Sequence, residues 1–276
     1  MEHNKQPLSP VGLFDSHAHY FDPRFDGQAE DLLTNGIFGG GVSGVINVAT
    51  NPDNARVCID QAARHPHMYA AVGIHPEDCK TLTGSVDEEV ARIQALLDSP
   101  QKRRDNKIVA LGEIGLDYHW QPIEEPLQKK YFEAQLSLAT ELELPVIIHD
   151  REAHGDCFET VLRFPKARGV FHSYSGSAEM ARELTRRGWY VSFSGVLTFK
   201  NARRVREVVQ AVPPERILIE TDCPYLAPEP FRGRLNHSGL MTYTAQALAE
   251  LLGLGYEETV RLTACNARAL FGLSEP

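Results

Sequence analysis

Histidines and carboxylates recur in this chain at one kind of place, the end of a short apolar run. His17 and His19 stand two apart just after Val11-Gly12-Leu13-Phe14. In extended backbone, residues i and i+2 face the same side, so two imidazoles there can grip one metal ion. His75 follows Val72-Gly73-Ile74, and Glu113 follows the run that ends at Gly112. His149 follows Val146-Ile147-Ile148, His172 follows Val170-Phe171, and Asp222 closes Ile217-Leu218-Ile219-Glu220-Thr221. Imidazole with carboxylate and no thiolate suits a borderline or hard divalent ion. The candidate ligands are His17, His19, Glu113, His149, His172 and Asp222. That is too many for one open catalytic zinc and the right number for two ions sharing a carboxylate.

Position, not spacing, gives the pattern its weight. His65-Pro66-His67 repeats the same spacing, but it follows a helical segment and precedes a strand. It is expected as a surface turn at the opposite end of the fold. His3, His119 and His154 receive no role.

The elements that must position these groups alternate along the chain. Strands are expected at Leu13–Ser16, Gly44–Val48, Tyr69–Val72, Ile108–Leu111, Val146–Ile148, Gly169–Phe171, Tyr190–Phe193 and Ile217–Ile219. Most are continuous apolar runs, the mark of buried parallel strands. Helical spacing marks Asp53–Arg64, Val86–Leu97, Pro126–Leu142, Ala178–Arg187, Ala202–Val209 and Thr242–Leu252. Repeated βα units predict an α/β fold, a single-domain (β/α)₈ TIM-like barrel, with an open doubly wound sheet as the alternative. In a parallel barrel the carboxyl ends of all strands lie at one mouth, where active sites are built. No GxGxxG follows the first strand, and the glycine-dense Gly36–Gly44 segment reads as a helix-to-strand connection.

Bulk properties narrow the function classes. A chain of 276 residues suits one barrel domain, with residues 1–10 expected as a flexible extension. The cysteines, Cys58, Cys79, Cys157, Cys223 and Cys265, are odd in number, scattered and without a CxxC pair. This argues against a disulfide framework and for a reducing cytoplasm. No apolar window is long enough for a membrane span, and the polar start lacks a secretory h-region. The net charge of −9 argues against a broad electrostatic nucleic-acid footprint, but not against a local basic rim such as Asn201–Arg206.

The phrases that carry these residues resemble the TatD-type metal-dependent deoxyribonucleases of the amidohydrolase superfamily. They are Asp15-Ser16-His17-Ala18-His19, Val72-Gly73-Ile74-His75-Pro76, Gly112-Glu113-Ile114-Gly115-Leu116-Asp117-Tyr118 and Leu144–His149. They continue with Phe171–Gly176, Val191–Lys200, Glu220–Pro228 and Cys265–Phe271. The resemblance implies a barrel with two divalent ions, Mg, Mn or Zn, bridged by Glu113. It puts His17, His19 and Asp222 around one ion and His149 and His172 around the other. The chain departs from the family's usual basic-Arg-Asn-Glu-Pro at Arg234-Leu235-Asn236-His237-Ser238, a loop expected to line the substrate pocket, and has Ser173-Tyr174 where Cys-Phe is usual.

The reaction this implies is phosphodiester hydrolysis, with Asp222 taking a proton from water and Glu113 completing the catalytic pair. His75, Arg151 and Lys200 are candidates for holding the flanking phosphate. For Arg151 the alternative is a salt bridge at the rim, and for Lys200 a plain surface charge. Tyr118 and Tyr174 are candidates for base stacking, with packing as the alternative. Glu220 and Asp117 are expected to support ligands or order loops, and Asp15 either to hold a ligand's second ring nitrogen or to cap backbone. The expected partner is DNA, single-stranded or at ends, met by a monomer or weak oligomer and not a membrane. The competing readings are a hydrolase of a small amide, lactone or phosphoester with the same centre, and a non-catalytic binding module.

Overall fold

A computed structural model describes residues 9–274. Eight parallel strands run in sequence order: β1 (Phe14–Ala18), β2 (Gly44–Val48), β3 (Met68–Val72), β4 (Ile108–Asp117), β5 (Val146–Arg151), β6 (Gly169–Phe171), β7 (Tyr190–Phe193) and β8 (Ile217–Ile219). β1 returns to the β8 side through an Ala18–Cys223 bridge, reinforced by Asp222 N–H to His17 O at 2.9 Å and His19 N–H to Cys223 O at 2.8 Å. The chain is therefore a nearly closed, single-domain (β/α)₈ barrel and not an open sheet. Most of the expected N-terminal extension lies outside the described residues.

The helices are α1 (Ala29–Asp31, continuing as a π-helical stretch to Phe38), α2 (Pro52–Arg64), α3 (Val86–Leu97), α4 (Pro100–Asp105) and α5 (Glu125–Glu141). They continue with α6 (His154–Leu162), α7 (Ala178–Arg186), α8 (Arg203–Val209), α9 (Met241–Leu252) and α10 (Tyr256–Phe271). Local chemistry sets several of their starts. Asn51 caps α2 ahead of Pro52, and Ser85 and Glu88 form a capping box on α3.

Two apolar regions result. The larger lies between the strands and the helices. The smaller fills the barrel interior with Phe14, Ile46, Ala71, Ala110, Ile147, Val170 and Leu218, and α10 plugs its lower end with Ala264, Ala267, Leu270 and Phe271. The upper end is left for polar groups. His65-Pro66-His67 sits between α2 and β3 at the closed end, with Pro66 and His67 exposed as a surface turn requires but His65 buried.

β4 and β5 are longer than their apolar runs predict. They pair past the rim, from Ile114 opposite Ile148 to Asp117 opposite Arg151. Between Leu111 and Ile114 the register shifts, so Gly112-Glu113 form a bulge, a device that re-aims a side chain beside a site. Gly115 is required there: its φ is +146°, and a Cβ would lie 2.0 Å from His149 O. The β1–β2 register also shifts between Asp15 and Ala18, the stretch that contains His17.

Candidate metal centre

The six sequence-predicted ligands converge at the carboxyl-end mouth of the barrel. Glu113, at 2% exposure, is the centre of the group. Its Oε2 lies 3.3 Å from His17 Nε2 and 3.6 Å from His19 Nε2. Its Oε1 lies 2.7 Å from both His149 Nδ1 and His172 Nε2. Asp222 Oδ1 joins the first nest, 3.4 Å from His19 Nε2 and 3.8 Å from His17 Nε2. The His17 and His19 Nε2 atoms are 3.0 Å apart, so the i, i+2 pair does face one side.

The outer partners of these rings turn lone pairs inward. His19 Nδ1 meets the Val48 carbonyl at 2.7 Å, His172 Nδ1 meets Glu220 Oε1 at 3.2 Å, and His149 Nε2 meets Asp117 Oδ2 at 2.9 Å. An imidazole that donates its outer N–H presents a bare nitrogen at the other position, as a metal ligand must. Nitrogen and carboxylate donors, two lone-pair nests and one carboxylate between them fit divalent ions, and the groups His17–His19–Asp222 and His17–Glu113–His172 are each compact enough to hold one. His17 Nδ1 has no hydrogen-bond partner among the described residues.

Electrostatics follow from the crowding. Burial disfavours charge on Glu113, but the imidazoles of His172, His17 and His75 outweigh it and hold the carboxyl well below its usual range. Asp222 is lowered in the same way: burial opposes, and His19, His17 and His172 prevail. His149 is raised to about 9, since its bonds to Asp117 and Glu113 overcome burial. Asp222 also holds a left-handed backbone, φ +56°, which is costly for a non-glycine residue and typical of functional positions.

His75 faces the same carboxylate, its Nε2 3.6 Å from Glu113 Oε1. Its Nδ1 accepts the Glu77 backbone N–H at 3.1 Å, so in the neutral ring the proton sits on Nε2. Burial, helped by His149, pushes this imidazole down to about 3, which keeps it neutral. In that tautomer His75 offers the site an N–H donor, although with Glu113 and His149 it also forms a third group compact enough to hold an ion.

The other candidates divide. Arg151 lines the cleft and, among the described residues, has no carboxylate partner, so the rim salt bridge is not formed. Lys200 is exposed after β7 and is not among the cleft-lining residues. Tyr118 donates its hydroxyl to Asp156 at 2.7 Å, and Tyr174, largely buried although it lines the cleft, donates to Ser177 O at 2.9 Å. In the 201–206 run, Arg203 pairs with Glu207 on the surface.

Asp15 resolves toward backbone and hydroxyl contacts. It accepts Thr221 N–H at 2.9 Å, Thr221 Oγ1 at 2.6 Å, Ser238 Oγ at 2.7 Å and His17 N–H at 3.3 Å. The expectation that Arg234–Ser238 lines the pocket is corrected here. Asn236 donates to Thr221 O and Tyr225 O, and Ser238 is sealed between Asp15 and Tyr20. The segment braces the Asp222 loop from behind and does not line the cleft.

Two glutamines on α5 escaped the sequence reading. Gln128 clamps both backbone groups of Asp117, at 2.9 Å each. Gln135 clamps those of Ile74, just before His75, at 2.7 and 3.0 Å. The signal was their spacing: 128, 131, 132 and 135 follow the buried face of the helix.

A protein-family model described as TatD related DNase matches residues 14–272. The chain belongs to the TatD family. Its TatD relatives include the "uncharacterized metal-dependent hydrolase YabD" of Bacillus subtilis, 38% identical over 95% of this chain and 100% of that one. Another, the "uncharacterized metal-dependent hydrolase TatD" of Mycobacterium tuberculosis, is 36% identical over 84% of this chain and 87% of its own. Among solved structures, the TatD homologue YjjV of Escherichia coli superposes with a TM-score of 0.87 at 28% identity, covering 96% of this chain and 100% of the other. The chain is a metal-dependent hydrolase of the TatD family.

Proposed function

We propose that this TatD-family hydrolase is a deoxyribonuclease, with two divalent ions sharing Glu113. The observation that carries the reading is the division of the Glu113 carboxylate, one oxygen toward His17 and His19 and the other toward His149 and His172. The family description, TatD related DNase, supports the substrate class.

His17, His19 and Asp222 would hold one ion, His149 and His172 the second, and Glu113 both. Such ions supply a low-pKa water and neutralise charge on the phosphoryl oxygens. Asp222, kept ionised by its histidine neighbours, would take the proton from the attacking water as the bond from phosphorus to the leaving nucleotide oxygen breaks, and would return it to that oxygen. His75 Nε2–H donates to a phosphate oxygen, and the unpaired Arg151 guanidinium holds a neighbouring phosphate. Gln135 and Gln128 fix the backbone beside His75 and at Asp117, so these donors meet the substrate already placed. A cytoplasmic monomer or weak oligomer belongs to the proposal. No helix among the described residues is long and apolar enough to cross a membrane.

A second reading, hydrolysis of a small amide, lactone or phosphoester, draws on the acidic lining of the cleft by Glu77, Asp78 and Asp150. Activity on single-stranded DNA and on a small-ester panel, with Mg, Mn or Zn added, separates the two. The nuclease reading expects DNA cleavage that weakens as salt rises. Cleavage of the small esters alone would remove it. Asp222→Asn should keep at least one ion and lose most turnover; near-wild-type turnover would remove Asp222 as the base.

A further inference from the structure

Trp120 and Tyr225 are the only aromatic rings among the large hydrophobic side chains left exposed in the described residues, at 50% and 47%. Folding normally buries much of such rings. Both line the cleft above the ligand cluster. Trp120 follows β4 and Tyr225 follows β8, and in a barrel ordered β1 to β8 those strands stand opposite each other. The rings therefore flank the site from two sides.

Each ring is backed by a guanidinium. Arg24 Cζ lies 4.0 Å from the Tyr225 centroid, and Arg151 Cζ lies 5.2 Å from that of Trp120. Tyr225 is held further by its hydroxyl, which donates to Asp22 Oδ2 at 3.3 Å, while Arg24 grips Asp22 through Nε at 2.9 Å and a terminal nitrogen at 2.8 Å. His119 stands edge-on to Trp120, centroids 4.8 Å apart, and is itself tied to Glu152 at 2.7 Å. Rings held this way lose little freedom when a planar group stacks on them.

We propose that Trp120 and Tyr225 are base-stacking platforms for single-stranded DNA, one on each side of the scissile phosphate. This rests on the nuclease reading above. A strand whose phosphate sits over Glu113 and Asp222 turns its flanking bases toward opposite sides of the mouth. A duplex keeps its base faces covered, so the platforms select unstacked nucleotides. Stacking tolerates any base, since every base has a π face. Part of the acidic lining is neutralised: Asp22, Asp117 and Asp150 are paired with Arg24, His149 and His154, whereas Glu77 and Asp78 have no cationic partner among the described residues. Arg151, with no carboxylate partner among the described residues, remains free for phosphate.

The test compares kcat/KM on single-stranded dT₈ with that on an octamer of the same phosphates in which every nucleoside is abasic. The wild type should favour dT₈ by about fivefold to a hundredfold per platform. Trp120→Ala and Tyr225→Ala should each collapse part of that preference, and Trp120→Phe and Tyr225→Phe should restore it. A preference unchanged in both alanine variants overturns the platforms. Equal cleavage of the two octamers by the wild type overturns them too, and leaves the nuclease reading standing. Cleavage of neither octamer overturns the nuclease reading, and the platforms fall with it.

Discussion

Glu220→Leu removes the acceptor that orients His172, a proposed ligand, without touching the ligand itself. Glu220 is buried at the end of β8, its Oε1 3.2 Å from His172 Nδ1 and its Oε2 accepting from the Ser192 hydroxyl. With Oε1 in place, Nδ1 carries the proton and Nε2 keeps its lone pair toward Glu113, 2.7 Å away. Without it, nothing holds that tautomer or the ring angle. Loss of such an outer partner weakens metal binding by about 10- to 100-fold, or roughly 1.4–2.7 kcal/mol. Glu220→Gln should fall near the lower bound, because its amide oxygen still accepts from Nδ1–H while the charge is gone. The assay is competition against a chelator of known affinity, with turnover followed as metal is added. Turnover at limiting metal should fall with affinity and recover in excess metal. Wild-type metal affinity in a folded Glu220→Leu protein would rule out Glu220 as the group that orients His172.

Ser238→Ala should destabilise the protein by about 1–3 kcal/mol, the range for losing a buried hydrogen bond to a carboxyl group. It removes the 2.7 Å contact to Asp15 and the 2.8 Å contact to Tyr20. Thermal melts should show Tm falling by about 2–4 °C per kcal/mol, and an unchanged Tm contradicts the brace. His154 should titrate above its ordinary 6.5, because its 2.8 Å bond to Asp150 outweighs partial burial. The stability this pair contributes is fully present below pH 6.5 and is lost as pH rises through the raised value. An NMR titration of the His154 ring checks the sign, and Asp150→Asn should bring the midpoint back down.

Much of the fold was legible because buried parallel strands are written as uninterrupted apolar runs. Gly44–Val48, Gly169–Phe171, Tyr190–Phe193 and Ile217–Ile219 coincide with strands of the structure. β4 was cut short at Leu111 because Gly112, Glu113 and Gly115 break the apolar run, although the bulge they form is what aims Glu113. α10 was not anticipated, since Thr259, Thr263 and Asn266 interrupt the apolar stripe on its buried face. α6 opens on His154-Gly155-Asp156 with no side-chain cap. The candidate ligands were legible because they terminate strands, and topology brings strand ends to one mouth. What surrounds them was legible in part: Asp117 and Glu220 were expected as supports and bond His149 and His172, and backbone capping was one of the two readings of Asp15, whereas Gln128 and Gln135 act through backbone groups whose positions depend on the closed barrel. Tyr118 and Trp120 are two residues apart on one loop, and only the structure shows which packs against Asp156 and which stays exposed.

In the proposed centre Glu113 joins two ions. Metal content per chain, measured on the purified wild type and on Glu113→Ala together with phosphodiesterase rate, tests it most directly. Two ions are expected in the wild type, at most one in Glu113→Ala, and turnover should be lost with the second. Two ions and an undiminished rate in Glu113→Ala would contradict it.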